Sequence, residues 1–128
     1  MNIFHVDIDP QEAAKALADR HVGKMLLESC QMMSTAAREH GYDGDIYKAA
    51  YQNHPATKWT ALSYENYRWL WHHAMALSTE FEHRFGKPHK SSEVLPELGV
   101  AMMWKLPRIG FTIPPQCMPN EFKRDDYV

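Results

Sequence analysis

A chain of 128 residues can bury one hydrophobic core without disulfide staples, so a single helical domain spanning 1–128 is expected. Hydrophobic residues make up 45% and charged residues 23%, which excludes a disordered or fibrous chain. The formal net charge of −2 excludes a global polyanion binder, so any contact with nucleic acid needs a local basic patch.

The first ten residues, MNIFHVDIDP, carry no basic lead and no long apolar run, unlike a signal peptide. No stretch approaches the roughly 20 apolar residues of a membrane helix, so no membrane partner is expected. Cys30 and Cys117 lie far apart. Cys30 stands among apolar residues and reads as a buried thiol. A disulfide framework is not expected, and a reducing, cytoplasmic compartment fits.

In chain order, residues 2–6 read as a short extended segment. Asp9-Pro10-Gln11-Glu12 is a helix start: Asp9 can cap, Pro10 suits the first helical position, and Glu12 stands as in a capping box. A helical pattern then runs to about His40 and stops at Gly41, with a possible break near Asp19-Arg20. Val22, Met25, Leu26, Met33 and Ala36 recur at helical spacing and predict a core stripe. Residues 41–53 read as a loop with a short helix around 46–51.

After Asn53-His54-Pro55, a long helix is expected from about Ala56 to Phe85. Trp59, Leu62, Trp69, Leu70, Leu77 and Phe81 fall on one stripe, and Tyr64, Tyr67 and Trp71 on another. Gly86 ends that helix, with Pro88 two residues on. A short helix follows Ser91 or Ser92, and residues 99–128 read as a wrapped tail. The expected fold is all-α: two long packed helices, short helices and an irregular C-terminal arm.

His21, Lys24, Glu28 and Gln31 are spaced i, i+3, i+7 and i+10 and share one narrow helix face bordering the core stripe. A carboxylate and an amine so placed can do acid–base work, although an i,i+4 Lys–Glu pair is also ordinary surface decoration. Arg20 lies nearby and can steady an anion. Asn53 and His54 stand at a helix N-terminus, where free N–H groups favour phosphate, or where they simply cap the helix. Asn66 and His73 interrupt apolar stripes; they are either satisfied core polar groups or supports reaching to the first helix. Tyr64, Tyr67 and Trp71 are either core or a platform for unstacked bases. Arg84, Lys87, His89 and Lys90 form the strongest basic cluster, set on a Gly-Pro turn suited to phosphate or simply to a helix end. Glu80-x-x-His83 is half of a di-iron pattern without a second copy, and His72 and His73 point to different helix faces, so no metal and no cofactor are expected.

The run Ala18-Asp19-Arg20-His21, with Glu28 seven residues after His21, resembles the first helix of the phage-type pyrimidine dimer DNA glycosylases. Those are small all-helical enzymes of similar length, and the layout is similar over residues 1–90. A group of uncharacterised phage-type proteins resembles the chain more closely. They share an Asn-Ile-Phe start and motifs standing here as His21/Lys24/Met25, Glu28/Gln31 and Asn53/His54/Pro55/Trp59. Asn66/Tyr67/Trp69/Leu70, Arg84/Gly86/Lys87/His89 and Pro115/Gln116/Met118/Pro119 complete the set.

The glycosylase resemblance implies an N-terminal amine that attacks the sugar C1′ and forms a Schiff base, assisted by a helix-borne glutamate at Glu28. Here the amine belongs to Met1, because Asn2 is too large for easy removal of the methionine. Leu27 stands where that family carries an arginine. The implied site is then Glu28, Lys24, His21 and Met1 for catalysis, with Arg20, Gln31, Asn53, His54, Trp59, Asn66, Tyr67, Arg84, Lys87 and His89 for substrate and phosphate. The implied partner is DNA or a nucleotide, in a host-cell cytoplasm if the chain is phage-encoded. Two other functions fit the same residues: an enzyme acting on a free nucleotide, and a non-catalytic phage–host interaction protein. Oligomeric state is not legible.

Overall fold

The structure is a computed structural model that describes residues 9–16, 19–103 and 106–113, apart from the side chains of Ala16 and Arg20. The extended segment expected at 2–6, Met1, Cys117 and the Pro115–Pro119 motif lie outside these residues. The described chain is helical: α1 (Pro10–Ala16), α2 (Asp19–Glu39), α3 (Pro55–Leu62), α4 (Tyr64–Phe85), a 3-10 turn at Lys90–Glu93, and α5 (Leu95–Met102). The long pair, α2 and α4, packs together as expected, with α1 on α4 and α3 against both.

The start is set by Asp9, whose Oδ1 accepts the Gln11 N–H at 2.9 Å, so the acid caps as its position predicts. The predicted stripe of Val22, Met25, Leu26, Met33 and Ala36 is buried against Tyr67, Leu70, Ala74 and Leu77 of α4. Cys30 is a buried free thiol, its acidity pushed to about 12 by burial. Gly41 and Gly86 both adopt positive φ, 93° and 72°, and the Gly86 N–H closes α4 on the Glu82 carbonyl at 2.9 Å.

Two expectations fail for the same reason: polar groups distant in the chain take up the local hydrogen bonds. The long helix expected over 56–85 is two helices, broken at Ser63, which is extended (φ −152°, ψ 156°). Its hydroxyl caps α4 by accepting the Asn66 N–H at 3.0 Å and donates to the Gly110 carbonyl at 2.8 Å. The Tyr64 N–H donates to the Pro107 carbonyl at 2.7 Å. The arm at 106–113 thus takes up groups that a continuous helix would have paired internally. Likewise the short helix expected around 46–51 is absent. The Arg38 guanidinium instead reaches the Gly44, Ile46 and Tyr47 carbonyls, and the Thr35 hydroxyl holds both the N–H and the C=O of Ala50. A loop whose carbonyls are met this way has no need of helical pairing.

No described helix is long and apolar enough to cross a membrane.

Candidate functional site

Along α2, the face predicted from spacing forms as drawn. Lys24 is exposed, and His21, Glu28 and Gln31 are half-buried. One Glu28 oxygen, Oε2, is wholly removed from solvent. A carboxylate so placed is within reach of a group bound at the surface and can exchange a proton with it. Leu27, beside it, is 38% exposed.

Two segments close on this helix from opposite ends, the second on the Gly23 side, about 140° around the axis from Glu28. Thr35 lies two turns beyond Glu28 on the same face, and its grip on Ala50 lays the 50–54 loop there. That loop leads into α3, where His54 is the N-cap and its Nδ1 accepts the Ala56 N–H at 3.1 Å. At the other end, His89 packs against Gly23: a methyl on that glycine would stand 3.4 Å from the imidazole Cδ2 and 3.0 Å from Phe81. His89 caps the 3-10 turn in the same way, its Nδ1 accepting the Ser91 N–H at 3.0 Å, with its ring edge-on to Phe81 at 4.8 Å. Both imidazoles therefore keep Nδ1 unprotonated and carry the proton on Nε2. Asn53 and Lys87 are exposed on the two turns.

Other predicted residues are spent inside the fold. Arg84 donates to Asp19 Oδ1 at 3.0 Å, to Glu80 Oε1 at 3.1 Å and to the Lys15 carbonyl at 3.0 Å, so it ties α4 to the α1–α2 junction. Trp59 is buried and donates from Nε1 to the Thr112 carbonyl. Asn66 is fully buried and staples Trp59 to Thr112. His73 bonds the Pro10 carbonyl at 3.0 Å through Nδ1, holding α1. Tyr67 is fully buried with its hydroxyl on the Leu98 carbonyl, and burial together with Cys30 pushes that phenol far above its ordinary range. Trp71 donates to the Leu95 carbonyl, and Tyr64 lies under Arg108 at 4.1 Å. Of the aromatics on the α4 stripes, Tyr67 and Trp69 are core, and Tyr64, Trp71 and Phe81 are half-buried against it. Among the described residues, no three His, Cys, Asp or Glu side chains gather to hold a metal. Tyr51 was missed by sequence reading: it is 56% exposed, on the loop held by Thr35, and a lone aromatic in a loop has no periodicity to announce it.

Residues 1–94 match the family model of the pyrimidine dimer DNA glycosylases. The chain belongs to that family. No curated protein and no solved structure matches it. The family match ends at Val94, the residue that closes the 3-10 turn, so it takes in α1 to α4 and both histidine caps. Beyond it lie α5 and the 106–113 arm, to which Trp59, Ser63 and Asn66 are bonded. DNA repair of the glycosylase kind is thus the activity of the family to which this helical fold belongs.

Two histidines, His72 within α4 and His89 beyond its end, make stability depend on pH. Burial lowers the His89 pKa, and burial together with Arg68 lowers that of His72. A group whose folded pKa lies below its unfolded value binds fewer protons when folded, so its stabilising share is present above about pH 6.5 and is lost as pH falls below it. Protonating His89 Nδ1 also forfeits the Ser91 cap. The urea midpoint is expected to drop from about pH 7.5 to about pH 5.5, and His89→Asn, which can cap without titrating, to flatten part of that drop. An equally steep drop in the variant would place the dependence elsewhere.

Proposed function

We propose that the protein excises pyrimidine dimers from DNA as a glycosylase with an abasic-site lyase step, and that Glu28 is its acid–base group. Membership of the family supports this reading, and the observation that carries it is Glu28 itself. Glu28, to which the resemblance assigns the helix-borne glutamate's role, has one buried oxygen and shares its face with His21 and Lys24.

In the proposed reaction a neutral amine, from Met1 or Lys24, forms a bond to the sugar C1′. The glycosidic bond breaks, and its electron pair leaves with the base. Loss of a proton from nitrogen and opening of the sugar ring give the Schiff base. Glu28 relays the protons: it takes one from the attacking amine and returns one to the sugar oxygen as the ring opens, while the departing base takes a proton from water. In the lyase step, loss of a C2′ proton expels the 3′ phosphate and breaks the strand. Lys87, Arg20 and the Nε2–H groups of His54 and His89 hold phosphates, while Arg84 fixes the turn that carries Lys87. Gln31 and Asn53 contact the substrate from the ends of the same face.

Borohydride trapping tests this directly. A duplex with a single abasic site or a single dimer is expected to form a reduced, covalent adduct with the chain, and peptide mapping then assigns the amine to Met1 or Lys24. Neither adduct nor strand cleavage on either duplex would remove the proposal.

A further inference from the structure

Tyr51 is the one described non-glycine residue with positive φ, at 56°. In that region the Cβ of an L-residue crowds the following carbonyl oxygen, and the residues that tolerate it are Gly, Asn and Asp. Tyrosine is an unfavourable choice, and such a conformation lasts only where its surroundings enforce it. They do so here on both sides. The Thr35 hydroxyl holds the Ala50 N–H and C=O, each at 2.9 Å. The Tyr51 carbonyl accepts the His54 N–H at 3.0 Å, at the cap of α3. The product of this enforced turn is an aromatic side chain left 56% exposed. A tyrosine that gains little burial from a strained backbone has a reason to be there only if its ring meets something outside the fold.

Its position indicates what. Thr35, the anchor of the turn, is seven residues beyond Glu28 on the same helix face, a rise of about 10 Å. Stacked bases repeat every ~3.4 Å along a strand, so the anchor stands about three bases from the carboxylate. On α4, Tyr67 is fully buried and both Tyr67 and Trp71 spend their polar atoms inside the fold, whereas Tyr51 stands exposed on this loop.

We propose that the Tyr51 ring stacks on a nucleobase within about three nucleotides of the one acted on by Glu28, propping the strand while the enzyme works on its target. This deepens the glycosylase reading and rests on it. Stacking of this kind is tolerant of sequence, since every base offers a π-face.

The test uses the full chain and a duplex carrying a reduced, uncleavable abasic site, with 2-aminopurine placed in turn opposite it and at each position up to about three nucleotides on either side. The wild-type protein is expected to bind this duplex and change the probe's fluorescence at one of those positions. Tyr51→Gly is expected to weaken binding by about tenfold and abolish the probe response, whereas Tyr51→Phe stays within about twofold of wild type. Because glycine relieves the backbone strain, Tyr51→Gly is expected to melt no lower than wild type, which separates a lost contact from a lost fold. Wild-type affinity and probe signal in Tyr51→Gly would overturn the assignment alone. A Tyr51→Phe variant as impaired as Tyr51→Gly would overturn stacking in favour of the hydroxyl. A wild-type protein indifferent to the abasic duplex would overturn the glycosylase reading and this assignment with it.

Discussion

Glu28→Gln is expected to cut dimer excision by about 10²–10⁴-fold, the share that a positioned acid–base group contributes. Glutamine keeps the shape and hydrogen-bonding reach of glutamate but cannot take up a proton. The substitution also removes a negative charge from a surface that faces phosphates in the proposed reaction, so affinity for lesion DNA is expected to hold or tighten. Single-turnover cleavage of a duplex with one dimer, measured beside equilibrium binding, separates the two effects. A variant that cleaves at the wild-type rate would show that Glu28 is not the proton-transfer group, whatever its burial. A variant that neither binds nor melts like the parent would show that the carboxylate holds the fold instead.

The largest stability effect is expected at Asn66. Its side chain is fully buried and makes three bonds: Nδ2 donates to the Trp59 carbonyl at 2.9 Å and to Thr112 Oγ1 at 3.0 Å, and Oδ1 accepts the Thr112 N–H at 2.9 Å. Alanine there leaves a buried carbonyl on α3 and an N–H on the arm without partners, in a space too small for the arm to collapse into freely. A loss of about 3 kcal/mol follows from one such bond energy per contact, with a fall in Tm of roughly 10 °C for a chain of this size. Calorimetry of Asn66→Ala reads it. The same variant decides between two roles for the residue, because a substrate contact predicts weakened DNA binding at unchanged Tm.

The consequences of that staple reach past the family's matched segment. Asn66, Ser63 and Trp59 all lie within residues 1–94, yet each bonds the 106–113 arm beyond it. The arm therefore sets the bend between α3 and α4, and through α3 the position of His54. If the glycosylase reading holds, the arm acts on the site at one remove, by placing the histidine cap.

Much of the helical layout was legible in the residues. Local chemistry decides where a helix begins and ends, so Asp9 with Pro10, His54 with Pro55, and Gly86 marked boundaries that the structure keeps. Periodicity decides which face is buried, so the stripe from Val22 to Ala36 and the polar face from His21 to Gln31 follow from spacing alone. Family membership was visible in a few residues of α2 for the same reason: chemistry carried on one helix keeps its spacing.

Other features depended on partners distant in the chain, which no local pattern encodes. The α3–α4 pattern is interrupted at Ser63 because the Gly110 carbonyl accepts its hydroxyl and the Pro107 carbonyl accepts the Tyr64 N–H. Residues 46–51 are not helical because Arg38 and Thr35 hold their backbone from α2. Arg84, a basic residue on a basic turn, is committed to Asp19, Glu80 and Lys15, whereas Lys87 three residues on stays exposed. Composition, helix ends and buried faces belong to the sequence because each rests on neighbours within a turn or two. Which polar groups are left over for DNA was decided only by the tertiary structure, since a hydrogen bond made inside the fold is one no longer offered outside it.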